Sequence, residues 1–302
     1  MENDNVKYYL LMILATFFWA GAFIAGKLGI NEFSPVILTY LRILIAFIII
    51  FPIMKHKNPK TWKLEKENYF LVMSLGLIGM TGYHLLFFNA LRFTTASNAS
   101  VINAFNPLIT AVFASIILKE RLSIKKIVLI LIAFLGVTLT ITQWNLSNIL
   151  YGGLNIGDLL MLGGATSWAL YSILVKKGMK KMSPMKLTTY SFLACIIILT
   201  PFALKEIIYD QALKVKPSAY LAILYMAVFP TVGGYTIQQY SIKAIGPSTT
   251  ALFVNLVPVF SIIMAVIFLK ETFYFLNIIS ILMIISSVYV YIKLKEKPSY
   301  KQ

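Results

Sequence analysis

Arg42 and His84 each interrupt a long apolar run. A charged or titratable group in such surroundings is expensive, so each is a functional candidate. His84 stands eight residues before Arg92, roughly 12 Å along a helix, well away from either end of its run. An imidazole there either bonds between helices or joins Tyr83 in contacting a bound molecule; desolvation favours its neutral form, with one nitrogen donating and one accepting. Arg42 lies seven residues past Pro35, about 10 Å along its helix. Its head either snorkels to the interface as an anchor or interhelical bonding group, or binds a carboxylate.

A third feature is a polar stripe. Ser100, Asn103, Asn106 and Thr110 follow one another at spacings of three, three and four, which places them on one helical face. Such a stripe turns toward protein or water, not lipid. Asn255 with Pro258 is a thinner version later in the chain. Any single Asn could be packing glue between helices. Together with Trp19, Trp168, Tyr171, Tyr235, Gln238 and Gln239, the set reads as the lining of a substrate cavity. The glycines at 76, 79, 82, 233 and 234 read as sites of close helix packing.

Acid chemistry is missing from this inventory. All eleven Asp and Glu fall outside the apolar runs or near their ends, as Asp158, Glu120 and Glu271 do. No buried carboxylate stands ready to exchange protons, and His84 has no acid beside it to relay one. A membrane-embedded enzyme would need a nucleophile, metal ligands or an acid pair within the apolar runs. His56 lies in a polar loop and Cys195 is the one cysteine, so neither a metal site nor a cofactor is expected.

The elements that carry these residues are transmembrane helices. The chain of 302 residues is 59% hydrophobic and 13% charged, more apolar surface than a soluble interior of this size can hide. Stretches of about 20 apolar residues, enough for a core of ~30 Å, recur at 7–27, 36–54, 69–90, 96–118, 124–142, 156–175, 186–204, 219–241, 247–269 and 273–293. With these ten spans, twenty Lys and Arg fall on the side of the N-terminus and six on the other, Arg42 lying within a span. Both termini are then cytoplasmic by the positive-inside rule. The net charge of +16 reports topology here and not nucleic-acid binding. The first span, with Ala20-Gly21-Ala22, has the look of a signal peptide, but its internal counterpart argues against one.

That counterpart comes from duplication. Displaced by 149, residues 19–52 fall on 168–201 with 13 of 34 positions identical, among them Trp19/Trp168, Lys27/Lys176, Ser34-Pro35/Ser183-Pro184 and Pro52/Pro201. A displacement of 151 then pairs Gly82/Gly233, Ser97/Ser248, Pro107/Pro258 and Lys119-Glu120/Lys270-Glu271, and sets His84 against Tyr235. Each unit, 1–147 and 148–302, holds five spans. An odd number inserts the second copy upside down, an arrangement that recurs in transporters with the substrate site between the halves.

Phe18-Trp19-Ala20-Gly21, Pro35 with Arg42, the run Ala90-Leu91-Arg92-Phe93-Thr94-Thr95-Ala96, and Pro107 and Pro258 each followed by Lys-Glu carry a resemblance. The chain resembles the ten-helix EamA-type members of the drug/metabolite transporter superfamily over roughly residues 8–293. The resemblance implies an all-α integral membrane carrier whose central cavity is lined by its first, third, fourth, sixth, eighth and ninth helices. It also implies export of amino acids or similar small metabolites. Tyr83-His84 is similar to a Tyr-His pair lining the cavity of YddG-type exporters of aromatic amino acids.

The expected protein is a multi-pass transporter of the cell membrane, a monomer in the lipid bilayer with a small-molecule substrate and no nucleic-acid partner. Drug or osmolyte carriage is the alternative within transport. A nucleotide sugar would require more intramembrane Lys and Arg than this chain has.

Overall fold

The computed structural model describes residues 2–57, 59–94, 99, 102–119, 123–141, 147, 156–209, 216–269 and 275–294. Ser100, Glu120, Lys270 and Glu271, all singled out above, lie outside them. The regular structure of the described residues is helix, joined by turns, with no strand among them. In chain order the helices are α1 (Glu2–Ile30), α2 (Pro35–Lys57), α3 (66–93), α4 (Asn106–Leu118), α5 (Ile124–Ile141), α6 (Ile156–Gly178), α7 (Pro184–Tyr209), α8 (217–245), α9 (247–269) and α10 (Phe275–Lys293). Six of them, α1, α2, α3, α6, α7 and α8, are long and apolar enough to cross a membrane; α4 and part of α10 form shorter apolar helices.

Their outward faces carry large apolar side chains such as Leu10, Ile48, Phe70, Ile116 and Ile208, all well exposed. A soluble protein would hide such a belt; hydrocarbon solvates it. The interior holds three apolar clusters, the largest centred on Trp168, Tyr171, Phe192 and Tyr235.

Local signals set the helix starts. Ser34 Oγ accepts the backbone N–H of Ile37, and Ser183 Oγ accepts that of Lys186, so each Ser-Pro pair caps and opens a helix. Thr39 and Thr188 each return a hydroxyl hydrogen bond to the carbonyl of that proline. Proline again opens α8 at Pro217 and α9 at Pro247.

The packing brings distant segments together. α1 lies against α8 and α9, α6 against the second half of α3 and against α4, α2 against α7, α4 against the start of α9, and α5 against α10. Two helices contain wide π-type turns, Gly76–Gly82 in α3 and Ala227–Gly234 in α8. Such turns concentrate at functional sites because one extra residue per turn re-aims the side chains that follow. Here Tyr83 and Tyr235 are the residues that follow.

Candidate functional site

A small chamber of about 40 Å³ lies where these helices meet. Trp19, Ala22 and Phe23 of α1 line it, with Arg42 of α2, Tyr83 and Phe87 of α3, Asn103 just before α4, Trp168 of α6, Tyr235 of α8, and Val254 and Val257 of α9. That volume holds about three waters, so a larger solute enters only when helices part.

Ring contacts build the walls. Trp19 meets Trp168 edge-on with centroids 6.4 Å apart; Trp168 lies 4.7 Å from Tyr83 and 5.0 Å from Tyr235. Tyr83 stacks on Phe87 at 5.8 Å, and Phe23 meets Phe87 edge-on at 5.1 Å. Trp19 is held by its indole N–H, which donates to the Pro230 carbonyl at 3.1 Å. Its ring lies so close to Gly234 that a Cβ there would stand 2.6 Å from Nε1.

His84 is fully buried behind this wall. Its Nδ1 lies 2.6 Å from the Met80 carbonyl, which can only accept, so Nδ1 carries the proton. A neutral ring then leaves Nε2 to accept from the Tyr235 hydroxyl, also at 2.6 Å. The histidine thus orients Tyr235 and does not itself line the chamber.

Arg42 is 3% exposed and turns inward to the chamber instead of snorkelling to an interface. Its Nε donates to Thr231 Oγ1 at 2.5 Å, and that hydroxyl donates onward to the Met226 carbonyl at 2.6 Å. Pro230, which has no N–H, stands just before Thr231 in the wide turn of α8. The guanidinium carbon also sits 5.9 Å from the Tyr235 ring centroid, within cation–π range.

Of the sequence candidates, Trp19, Tyr83, Asn103, Trp168 and Tyr235 line the chamber, and His84, Asn106, Tyr171, Gln238 and Asn255 stand outside its lining. Asn106 donates to the Ala165 carbonyl at 2.9 Å and accepts from Thr110, joining α4 to α6. Tyr171 accepts from Gln239 Nε2 at 2.7 Å and packs on Gly79, where a Cβ would run into its ring. Arg42, Phe23 and Phe87 also line the chamber, beyond the residues that the sequence assigns to it. Phe23 and Phe87 follow Trp19 and Tyr83 by four residues, the spacing that puts them on the same helical face.

Below the chamber, α8 carries buried polar atoms that have no partner among the described residues: Gln238 Oε1, Gln239 Oε1 and Ser241 Oγ, with both side-chain ends of Asn255 facing likewise unmatched. A second, larger cavity of about 480 Å³, here called the vestibule, is lined by Lys119, Lys176, Lys177, Lys180 and Lys243 with Ile117, Leu118 and Met179, at the ends of α4, α6 and α8. Lys176 Nζ donates to the Ile242 carbonyl at 3.0 Å, closing the end of α6 onto α8. At the opposite end, Lys27 Nζ donates to the Leu91 carbonyl at 2.8 Å, closing α1 onto α3.

Comparison with known proteins shows the family. The EamA-like transporter family matches the chain twice, over residues 6–142 and 155–293. A Bacillus subtilis protein named uncharacterized transporter YyaM is 32% identical over 88% of this chain and 86% of its own length. An uncharacterized transporter of Archaeoglobus fulgidus is 30% identical over 95% and 97%. A probable amino-acid metabolite efflux pump of Salmonella typhimurium is 26% identical over 93% of both chains. A crystal structure covering 96% of this chain and 99% of its own superposes with a TM-score of 0.76 at 18% identity, a likeness of fold. The chain is a membrane protein and belongs to the EamA-like transporter family.

Proposed function

We propose that this transporter moves amino acids or similar small zwitterionic or neutral metabolites outward by alternating access between two inverted five-helix repeats, residues 1–147 and 148–302. The observation that carries the reading is the chamber itself, whose walls pair repeat-equivalent residues, Trp19 with Trp168, across the seam. Tyr235, against which the repeat sets His84, completes that seam.

The packing supports the two-repeat reading. The main inter-helix contacts have counterparts five helices on: α1 with α8 answers to α6 with α3, and α1 with α9 to α6 with α4. Contacts α2 with α7, α4 with α9 and α5 with α10 answer to themselves. The Lys27–Leu91 and Lys176–Ile242 bonds are displaced by 149 at the lysine and 151 at the carbonyl, the displacements of the duplication. Two related halves of opposite orientation have two equivalent ways to pack, one open to each side of the bilayer. The ten crossings, the cytoplasmic termini and residence in the cell membrane belong to this reading. A monomer is sufficient, since the chamber is complete within one chain.

Aromatic walls and a few amide groups suit a solute with an apolar body and a small polar head. The relative named for amino-acid metabolite efflux supports the substrate class and the outward direction. Counterflow of the twenty radiolabelled L-amino acids in proteoliposomes tests it, with exchange of at least one above protein-free vesicles expected. No exchange of any would contradict the substrate class. A reporter fused after Lys297 should report cytoplasm and one inserted at Asn148 the outside; both on one side would contradict the inverted repeats.

A further inference from the structure

We propose that the transported molecule bears a carboxylate and that Arg42 is the group that binds it. This rests on the transport reading above and narrows it.

Arg42 is the cation among the residues that line the chamber, and among the described residues its charge has no counter-ion. The hydrogen bond to Thr231 uses Nε alone, and Thr231 is neutral. Tyr235 offers the face of its ring, a weak partner. Among the described residues no carboxylate pairs with the guanidinium: Glu32 is bound to Lys216, Glu65 to Lys186, Asp158 accepts from Thr94 and Glu206 from Ser34. A buried charge without a counter-ion is costly, and proteins keep one where a partner arrives from outside.

The fork of an arginine also fits a carboxylate. With Nε engaged by Thr231, the plane of the guanidinium is fixed and its two terminal nitrogens are left for a two-point contact with two oxygens. The Thr231 hydroxyl is itself held, since it donates to the Met226 carbonyl at 2.6 Å. Opposite charge cannot come from the remaining lining, which is aromatic, aliphatic or the amide of Asn103.

The vestibule supplies an independent observation. Among the described residues five lysines and no acid line it, so its field gathers anions near the ends of α6 and α8. One arginine in the chamber matches one carboxylate; a dianion or a phosphate ester would call for more.

The test compares acids with their amides in proteoliposomes. Counterflow is measured for the twenty L-amino acids and for a series of straight-chain monocarboxylates, then for the carboxamide of the best solute. The acid should be carried at least tenfold better than its amide. Arg42→Gln should raise the half-saturation concentration for the acid at least tenfold and abolish its advantage over the amide. Arg42→Lys, which keeps the charge without the fork, should fall between. Thr231→Val, with Arg42 intact, should weaken acid transport and serves as a second variant if Arg42→Gln does not elute as a monodisperse protein.

Equal carriage of acid and amide by the wild type would overturn the assignment and leave transport standing. Persistence of the acid preference in Arg42→Gln would do the same. Transport of monocarboxylates and of no amino acid would keep Arg42 in its role and overturn the amino-acid reading. Transport of neither series would overturn both.

Discussion

The Tyr235 hydroxyl donates to His84 Nε2 at 2.6 Å, and the two residues occupy equivalent positions of the duplicated sequence, 151 apart. One histidine therefore fixes the orientation of a chamber ring contributed by the other half. Since the ring's other nitrogen is committed to the Met80 carbonyl, both hydrogen-bonding sites of His84 are used within the protein.

Removing either partner leaves the other buried and unmatched, at a cost of about 1–3 kcal/mol. His84→Ala and Tyr235→Phe should each slow transport, and the double variant should be no worse than the poorer single one. His84→Gln should retain part of the activity in both counterflow and proton-gradient-driven assays, because it keeps a donor and an acceptor. Strict additivity in a double-mutant cycle would show that the two do not act together. Full activity in His84→Ala would reduce the histidine to packing.

Gly79 seats the Tyr171 ring and Gly234 seats Trp19. Alanine at either position should lower thermal stability by about 1–3 kcal/mol through overpacking. At Gly163 a Cβ would meet Leu86 at an ordinary 3.5 Å, so Gly163→Ala should be neutral. Melting of the three purified variants in detergent separates these outcomes; equal melting temperatures would refute the packing role.

The lysines at the two ends cap helix carbonyls, contacts worth about 0.3–1 kcal/mol each. Lys27→Gln should favour opening at its own end and Lys176→Gln at the vestibule. A cysteine introduced at Ala22 should react faster with an impermeant reagent from opposite sides in the two variants; Cys195 is buried and should stay silent. Identical labelling of both variants would argue against paired closures.

How much of this could be read in the residues differs by level. Helical periodicity, length and charge bias carry the helices, because the bilayer dictates each of them. The duplication was visible because Trp, Ser-Pro and Lys are uncommon in apolar runs. Side-chain direction was less legible. Arg42 reads first as an interfacial anchor or an interhelical bonding group, and nothing local says that its partner is the Thr231 hydroxyl, 189 residues away in α8. Similarly, nothing local to Asn106 says that its amide is spent on the Ala165 carbonyl, or that His84 is shielded from the chamber by Tyr235. The π-type turns were also hidden, since glycines at 76, 79 and 82 suit close packing in an ordinary helix as well.

Outside the membrane, the Glu65 carboxylate accepts from Lys186 Nζ at 2.9 Å, tying the loop before α3 to the start of α7. The hydrogen bond from Lys186 chiefly, then those from the Glu65 backbone and Asn68, hold its carboxyl below the usual range. A depressed folded value means the contribution is present above the unfolded carboxylate range and is lost as pH falls through the folded value. Stability of the wild type should therefore drop more on acidification than that of Glu65→Gln. Parallel pH profiles of melting temperature would contradict a role for the pair.

Whether the aromatic chamber is the place through which substrate passes is tested most directly by counterflow in proteoliposomes containing wild type, Trp168→Ala or Asn103→Ala, each checked for monodisperse elution and equal incorporation. Both side chains line the chamber, and Asn103 Oδ1 has no partner among the described residues, so Asn103→Ala breaks no contact of that atom. Wild type should exchange its best amino acid, and both variants should lose at least tenfold in rate while remaining folded. Wild-type exchange in both variants would contradict the assignment of the chamber as the substrate site.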